Sequence, residues 1–481
     1  MTRQEKLNEI ANSQLQKAVD GYAYSSKFII PIAHNFYENK KKVFSDIEDL
    51  GWTILNKKDK KIRQFDAYNI KQYIYDNMIP NTKELDDSFI KEFSSTVLTK
   101  DIKHKLFITK NKNNYEIILE SINLWIFEKK IGFLVLNLKS EQNYSLDEYS
   151  NIHFILKQFK FVNFKDKEDG TIEVSSNGYV DTDDIIEYLL FKHKAKLFLN
   201  ITKEELKETP IYQSSTNAKF IVGMQIDKTK FSDNTEIEDS IDKLDYDNLS
   251  EIGILDEIPY FVATASKMKY EENKSYINSE SYIAKQVNDN ALNIWKYSSG
   301  IAVYDSCAFI GLKDDGGPVV SNVNTNFYFI YILNLYVYFK IKDIEHKYID
   351  KNFESSSVNF WYRKLQKLKN QFFSKEIGIK FQENEVHKMI SKSLKIESLL
   401  NEVKNNLVTS KEIVKDNIGI YIAFSAFIVV NFISNLFEDP LKEIIINNPL
   451  KSGLFIVLVG GVIIGCKKAN CINKLREKFK F

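Results

Sequence analysis

The sequence predicts an α+β domain on the cytoplasmic side, then a long helical stalk, and then a transmembrane hairpin of two helices. Three observations predict this fold class: β-rich segments in the first two thirds, a heptad pattern after Val386, and two apolar runs near the C-terminus. The expected boundaries are 1–320 for the α+β domain, 321–416 for the stalk, 417–437 for the first transmembrane helix, 438–451 for an outer loop, 452–466 for the second transmembrane helix and 467–481 for a basic cytoplasmic tail.

The overall composition is that of an ordinary globular protein of 481 residues. The chain has 66 basic and 65 acidic side chains and a net charge of +1, which argues against bulk nucleic-acid binding. Three cysteines cannot form a disulfide framework, so a reducing cytosol is expected for the soluble part. The first residues, MTRQEKLNEI, are polar and do not resemble a signal peptide.

The first hundred residues are predicted to mix helices with a short strand. Gln4–Tyr24 and Ile70–Met78 have helical patterns, and Phe28–Ile32 is typical of a strand that ends near Pro31. A basic run lies between them. It is either a solvated loop or a site for an anionic ligand. Its members are Lys57, Lys58, Lys60, Lys61 and Arg63.

The clearest β signal is a hairpin of Ile117–Phe127 and Ile131–Leu138, which are rich in β-branched and aromatic residues and joined by a short polar turn. A second hairpin is predicted from Leu292–Tyr297 and Ile301–Ile310, with its turn at Ser298-Ser299-Gly300. Further strand candidates are Leu197–Ile201, Phe220–Ile226 and Tyr260–Ala265.

No catalytic or metal-binding motif is evident. The sequence lacks a phosphate-binding glycine loop, a zinc-ligand spacing and a nucleophile elbow, so we expect no enzyme, no catalytic residue, no bound metal and no resident cofactor. Asp305-Ser306-Cys307 is expected to pack inside a strand. One acidic group is either a metal site or the first turn of a helix, where carboxylates favour the positive end of the dipole. Its members are Asp181, Asp183, Asp184 and Glu187.

An uncharged, aromatic segment, Gly316–Phe339, follows the turn-forming sequence KDDGGP. We interpret it as a buried helix that joins the sheet domain to the stalk, because its several asparagines suit a lipid-facing span poorly; a membrane-associated segment is the alternative. Val358–Ile379 continues in helical periodicity, and Gly378 is a plausible break before the heptad pattern.

The heptad pattern predicts a seam through which parallel copies of the chain associate, since apolar residues recur at alternating steps of three and four. The seam residues are Val386, Met389, Ile396, Leu400, Val403, Leu407 and Val414.

Two apolar runs follow the seam. Ile418–Phe437 is uncharged and about 20 residues long, the length required to cross a bilayer. Gly453–Cys466 is shorter, and its glycines match the GxxxG packing motif. Because the C-terminal tail is basic and the loop between the runs is slightly acidic, both termini are expected in the cytoplasm at the bacterial inner membrane.

Continuing the seam into the first apolar run predicts the lining of a pore, with polar residues at both ends and apolar residues between them. The alternative is that its asparagines only bridge neighbouring helices. The predicted lining residues are Asn417, Tyr421, Phe424, Ile428, Asn431, Asn435 and Glu438.

This arrangement resembles the CorA family of divalent-cation channels, which implies a divalent cation as the permeant ion and a homo-pentamer in a lipid bilayer. The family's Gly-Met-Asn motif corresponds here to Ile433-Ser434-Asn435, so only the asparagine carries over. The segments INLWIFEKKIGFLVLNLK and YDSCAFIGL also resemble CorA-like membrane effectors found beside type III CRISPR systems. That resemblance implies a nucleotide second messenger that acts on the soluble domain.

The first functional hypothesis is therefore a homo-oligomeric, CorA-like membrane channel or membrane-permeabilising effector, gated by a nucleotide ligand on its cytoplasmic domain and acting in antiviral defence. The alternatives are a membrane-tethered enzyme or adaptor whose hairpin is only an anchor, and a coiled-coil scaffold at the membrane.

Overall fold

The structure is a computed structural model. The residues it describes are 24–32, 49–55, 70–71, 74, 78, 95–110, 113–127, 131–142, 144–158, 163–175, 185–195, 218–226, 254–266, 268, 280–295, 297–303, 306–312, 319–350, 355–372 and 376–409. The chain divides into two compact units, residues 1–352 with 360–405, and residues 353–359 with 406–481. The sheet and the candidate site both belong to the first unit.

One mixed sheet of eleven strands organises the described part of this unit. Its order is β6-β7-β3-β4-β5-β1-β8-β11-β10-β9, and β2 pairs with β3. The β3–β7 and β8–β11 pairs are parallel and the others are antiparallel. The strands are β1 (Tyr24–Ile32), β2 (Thr53–Leu55), β3 (Ser95–Lys110), β4 (Asn113–Phe127), β5 (Gly132–Lys139), β6 (Asn163–Asp166), β7 (Thr171–Ser175), β8 (Lys219–Ile226), β9 (Ala291–Trp295), β10 (Ser298–Val303) and β11 (Ser306–Leu312).

Helices cover the sheet. They are α1 (Leu146–Lys157), α2 (Ile185–Lys192), α3 (Ile254–Thr264), α4 (Glu280–Asn290), α5 (Val319–Asn324), α6 (Asn326–Asp350), α7 (Ser355–Phe372) and α8 (Phe381–Ser393), and residues 396–409 are helical as well.

The central strand β1 shows how the two faces of the sheet are divided, because successive side chains of a strand point to opposite faces. Tyr24 and Phe28 lie in the main hydrophobic core, together with residues of α1 and α3. The alternate residues face α5 and α6: Ser25 donates to Asn324 of α5, and Lys27 lies against the Tyr328 ring of α6. We call this second side, which α5 and α6 cover, the helix-covered face.

The first predicted hairpin and two further strands are confirmed. Strands β4 and β5 pair antiparallel, with Trp125 opposite Phe133. Phe28–Ile32 lies within β1, and Phe220–Ile226 lies within β8. Asp305-Ser306-Cys307 was expected to pack in a strand; of these, Ser306 and Cys307 are buried in β11.

The predicted strand Tyr260–Ala265 is wrong, because Tyr260–Thr264 forms the end of helix α3. Its buried residues Ile258 and Val262 are spaced by one helical turn, and Thr264 Oγ1 donates to the Tyr260 carbonyl within the helix. A short apolar run bounded by polar residues is compatible with either a buried strand or a buried helix.

The second predicted hairpin exists, but its turn is misplaced. Strands β9 and β10 pair antiparallel, yet Ser298–Gly300 lie inside β10, and Ile301–Ile310 is divided between β10 and β11. Gly300 is therefore not a turn glycine. It lies opposite Phe309, where an added Cβ would be 2.5 Å from the Phe309 ring, so the glycine makes room for an aromatic side chain across the strands.

The predicted fold class, an α+β domain followed by a separate stalk and a transmembrane hairpin, is wrong. The described chain is an α/β fold built on a large mixed sheet, and the helix expected to lead into the stalk packs on that sheet. Tyr328 and Phe339 of α6 contact the rings of Trp125 and Phe133. Within the part of the chain that the structure describes, no helix combines the length and the apolar character needed to cross a membrane.

The described part of Gly316–Phe339, residues 319–339, is largely buried and helical, as we expected. A charge-free aromatic run suits helices that cover one face of a large sheet, as α5 and α6 do here. The stalk is not continuous. Gly378 separates α7 from α8, which confirms the predicted break, and Lys395, with φ 52°, separates α8 from the helical residues 396–409.

Several predicted segments lie outside the described residues. They are 4–23 of the first helix, most of 70–78, Leu197–Ile201, Asp181–Asp184, both apolar runs at 418–437 and 453–466, and the tail at 467–481.

Candidate functional site

The register of the sheet brings four polar residues side by side on the helix-covered face. Asp101 of β3 lies opposite Ser121 of β4, Ser121 opposite Asn137 of β5, and Asn137 opposite Lys27 of β1. Because adjacent strands lie about 4.8 Å apart, this polar row is roughly 14 Å long. It runs from the exposed Asp101 to the buried Lys27.

Lys27 is held at the inner end of the polar row. Its side chain is only 8% exposed, and Nζ donates to Asn137 Oδ1 over 2.9 Å. Asn137 Nδ2 in turn donates to Ser121 Oγ over 2.9 Å, which fixes the orientation of the amide. Nζ also lies 4.8 Å from the centre of the Tyr328 ring, within the range of a cation–π contact.

The Tyr328 ring covers the Lys27 ammonium group. It lies in the first turn of α6, and its hydroxyl accepts a hydrogen bond of 2.7 Å from Trp125 Nε1. Burial raises the pKa of Tyr328, so the phenol stays neutral. The Tyr328 side chain is therefore uncharged and held in place by Trp125, and the face of its ring lies against Lys27.

The other charges near the row are already paired. Lys139 Nζ lies 2.7 Å from Glu120 Oε1 at the partly exposed rim. Among the described residues, no carboxylate lies within ion-pair distance of Lys27. Among the described residues, the Lys27 ammonium group therefore contacts an amide oxygen and an aromatic ring.

Burial lowers the pKa of Lys27 to about 7, against the ordinary 10.5. The Glu120 carboxylate acts in the opposite direction and the Lys139 ammonium adds to the lowering. A buried charge without a counter-ion is costly, and proteins normally pair or neutralise it. An anion placed at Nζ would offset that cost and raise the pKa again.

The polar row can therefore do two things chemically. The protonated Lys27 can bind an anionic group that Asn137 and Ser121 help to orient, and the neutral amine can act as a nucleophile. Among the described residues, no three His, Cys, Asp or Glu side chains converge to hold a metal ion.

The binding and pore residues predicted from the sequence lie outside the described part of the chain. The basic run Lys57, Lys58, Lys60, Lys61 and Arg63 lies outside the described residues, as do the predicted pore residues Asn417, Tyr421, Phe424, Ile428, Asn431, Asn435 and Glu438. Six seam residues are described, all of them buried within the single chain: Val386, Met389, Ile396, Leu400, Val403 and Leu407. Val414 lies outside the described residues.

Sequence reasoning missed the polar row, although a signal was present. Lys27 interrupts the apolar stretch of β1, Asn137 interrupts β5, and Ser121 interrupts β4. Each of these polar residues is ordinary when its strand is considered alone. Their meaning depends on how β1, β3, β4 and β5 pair, and of these pairings only β4–β5 was predicted.

Comparison with known proteins adds no assignment: no family model, no curated protein and no solved structure matches the chain.

Proposed function

We propose that the sheet domain is a regulatory module that binds a small anionic ligand at Lys27. The observation that carries the proposal is the burial of the Lys27 ammonium without a carboxylate partner among the described residues. A nucleotide is the ligand class that the sequence resemblance implies, and its phosphate would supply the missing negative charge.

The energetics favour an anion at this position. Each unit by which a pKa is lowered corresponds to about 1.4 kcal/mol of unfavourable interaction with the charged form. A bound phosphate oxygen would recover part of this energy and accept a charge-assisted hydrogen bond. The neighbouring groups suit such a ligand, because Asn137 and Ser121 are held in place by each other.

The exposure of the residues at the rim of the polar row indicates that a ligand can enter from one side. Asp101 is exposed, whereas Asn123 and Lys139 are partly exposed, so the polar row opens toward β3 and β4. Tyr328 covers the opposite end. We therefore expect one anionic group to reach Lys27 while the rest of the ligand stays at the rim.

Calorimetry on the full chain tests the proposal with ATP, cyclic and adenylated nucleotides and inorganic phosphate as probes. Lys27→Met keeps the length of the side chain and removes its charge. We expect it to weaken binding by about 1.5–3 kcal/mol, roughly 10- to 150-fold, because a hydrogen bond to a charged group is lost.

Lys219→Met is the matched control. Lys219 is also 8% exposed and lies on the same face, but its ammonium lies 5.8 Å from the Phe339 ring, far along α6 from Tyr328. This variant should bind like the parent. No saturable binding of any probe, or equal affinity in Lys27→Met and the parent, would refute the proposal.

A second function is favoured by the pKa of about 7, which leaves much of Lys27 as a neutral amine near neutral pH. Such an amine can add to a carbonyl carbon and lose water to form an imine. Borohydride reduction in the presence of small aldehydes or keto acids, followed by mass spectrometry, tests this reaction. Absence of an adduct on the peptide that carries Lys27 counts against an enzyme.

What ligand binding controls is a separate question. A channel, a membrane-permeabilising effector and a tethered adaptor stay predictions from the sequence, and the residues that distinguish them lie outside the described part of the chain.

A further inference from the structure

A second group of polar residues lies on the other face of the sheet, near β3 and β7. His104 of β3 and His193, just after α2, have ring centres 5.4 Å apart. The Nε2 atom of each ring is buried and has no hydrogen-bond partner among the residues that the structure describes. Two buried imidazole nitrogens without partners are unusual, since such groups are normally satisfied.

Local backbone geometry fixes His104. The β3–β4 register shifts between Asp101 and His104, and Lys103 has a φ of 50°. The turn between β6 and β7 brings Gly170 close to the His104 ring. The φ of 82° at Gly170 favours glycine, and the Gly170 backbone forms a hydrogen bond with the imidazole. An added Cβ there would lie 3.5 Å from Nδ1. With Nδ1 beside this backbone, Nε2 carries the free lone pair.

Two hydrogen bonds of its own backbone hold His193 in place. Its N–H donates to the Leu189 carbonyl over 3.1 Å, and its carbonyl accepts from Trp52 Nε1 over 2.9 Å. The next residue, Lys194, ends the helical segment with a φ of 57°. The His193 residue is 7% exposed, so its orphaned Nε2 is directed into the protein rather than into water.

We propose that His104 and His193 bind a divalent transition-metal ion, of the Zn²⁺, Ni²⁺ or Cu²⁺ class, through their Nε2 atoms. Imidazole nitrogen suits these ions, and a backbone hydrogen bond to the second ring nitrogen is how proteins commonly orient a histidine ligand. Two protein ligands leave the remaining coordination positions to water.

The burial of both Nε2 atoms explains why the ligand is a small ion. A larger substrate would need access that these nitrogens do not have. A bound ion satisfies both lone pairs at once, and each would otherwise cost about 1–3 kcal/mol as an unpaired buried group.

Charged side chains from several elements lie near the histidine pair. The Lys192 ammonium is held by both oxygens of Asp166, each 2.8 Å away, so this pair is close to neutral. Lys100 donates to the Leu50 carbonyl over 2.7 Å. Burial lowers the pKa of both histidines.

The test uses the full chain without an affinity tag, stripped with a chelator and then dialysed. Titration with Zn²⁺ alone should show saturable binding of a single ion and a raised melting temperature. Titration with Cu²⁺ should give an electron paramagnetic resonance spectrum with coupling to two nitrogens. His104→Gln and His193→Asn should each weaken Zn²⁺ binding more than about 10-fold.

His346→Asn is the control, because it removes an exposed histidine of α6 and should leave binding unchanged. Circular dichroism checks that each variant folds, and one folded variant of the pair is enough for the comparison. Absence of saturable Zn²⁺ binding, or binding unchanged in a folded variant, would refute the proposal.

Discussion

Lys27 makes the stability of the fold depend on pH at the scale of one residue. Its pKa is about 7 in the folded chain and near 10.5 when the chain unfolds, so between these values the unfolded chain binds more protons. Stability from this group must therefore rise as the pH increases from about 7 to about 10.5. Below pH 7 the full penalty of the buried charge is present.

Lys27→Met removes this penalty together with the charge. We expect the variant to be more stable than the parent at pH 6, by a few kcal/mol at about 1.4 kcal/mol per unit of pKa, and the difference to shrink by pH 10. Urea unfolding at both pH values measures it. Lys165→Met, which removes an exposed ammonium group, is the control and should leave the stability nearly unchanged. A variant that is less stable than the parent at pH 6 would show that the ammonium is well satisfied.

At the scale of elements, the break before α8 depends on Gly378. An added Cβ would overlap Glu383 Cβ and lie 3.1 Å from the Lys380 carbonyl, while Asn384 holds the Gly378 backbone through two hydrogen bonds. Gly378→Ala should therefore cost about 1–3 kcal/mol, the usual range for overpacking.

Thermal and urea unfolding measure that cost. Lys380→Ala, in the same loop, is the control: its side chain is exposed and makes no capping hydrogen bond, so the change should stay within about 0.5 kcal/mol. Equal stability of Gly378→Ala and the parent would mean that the start of α8 can shift to accommodate a methyl group.

Elements with a strong local pattern could be predicted from the sequence, and elements defined by distant packing could not. The β4–β5 hairpin is encoded by two adjacent β-rich runs, and the Gly378 break by one residue. In contrast, the identity of α3 depends on which core it enters, and the polar row requires that β1 pair with β5, more than a hundred positions away. Nothing local in the sequence specifies such a pairing.

At the scale of the whole molecule, the heptad pattern has a different explanation from the one we expected. An apolar stripe on a helix predicts burial but does not say whether the partner belongs to the same chain. The described seam residues are buried without any second copy; Leu400, for example, is 2% exposed. Association of several copies stays a prediction, but these side chains no longer require it.

Leu400→Glu distinguishes the two explanations. A carboxylate forced into this buried position should lower the stability of the chain itself by several kcal/mol, because burying an unpaired charge is among the most costly substitutions. We expect a lower melting temperature, with any loss of assembly occurring only as the chain unfolds. Asn401→Glu adds the same charge at the next, exposed position and should leave the melting temperature nearly unchanged. Circular dichroism and light scattering on the same samples measure unfolding and mass together. If Leu400→Glu instead lowers the mass while the chain stays folded, then Leu400 faces another subunit, and the seam is an interface between copies.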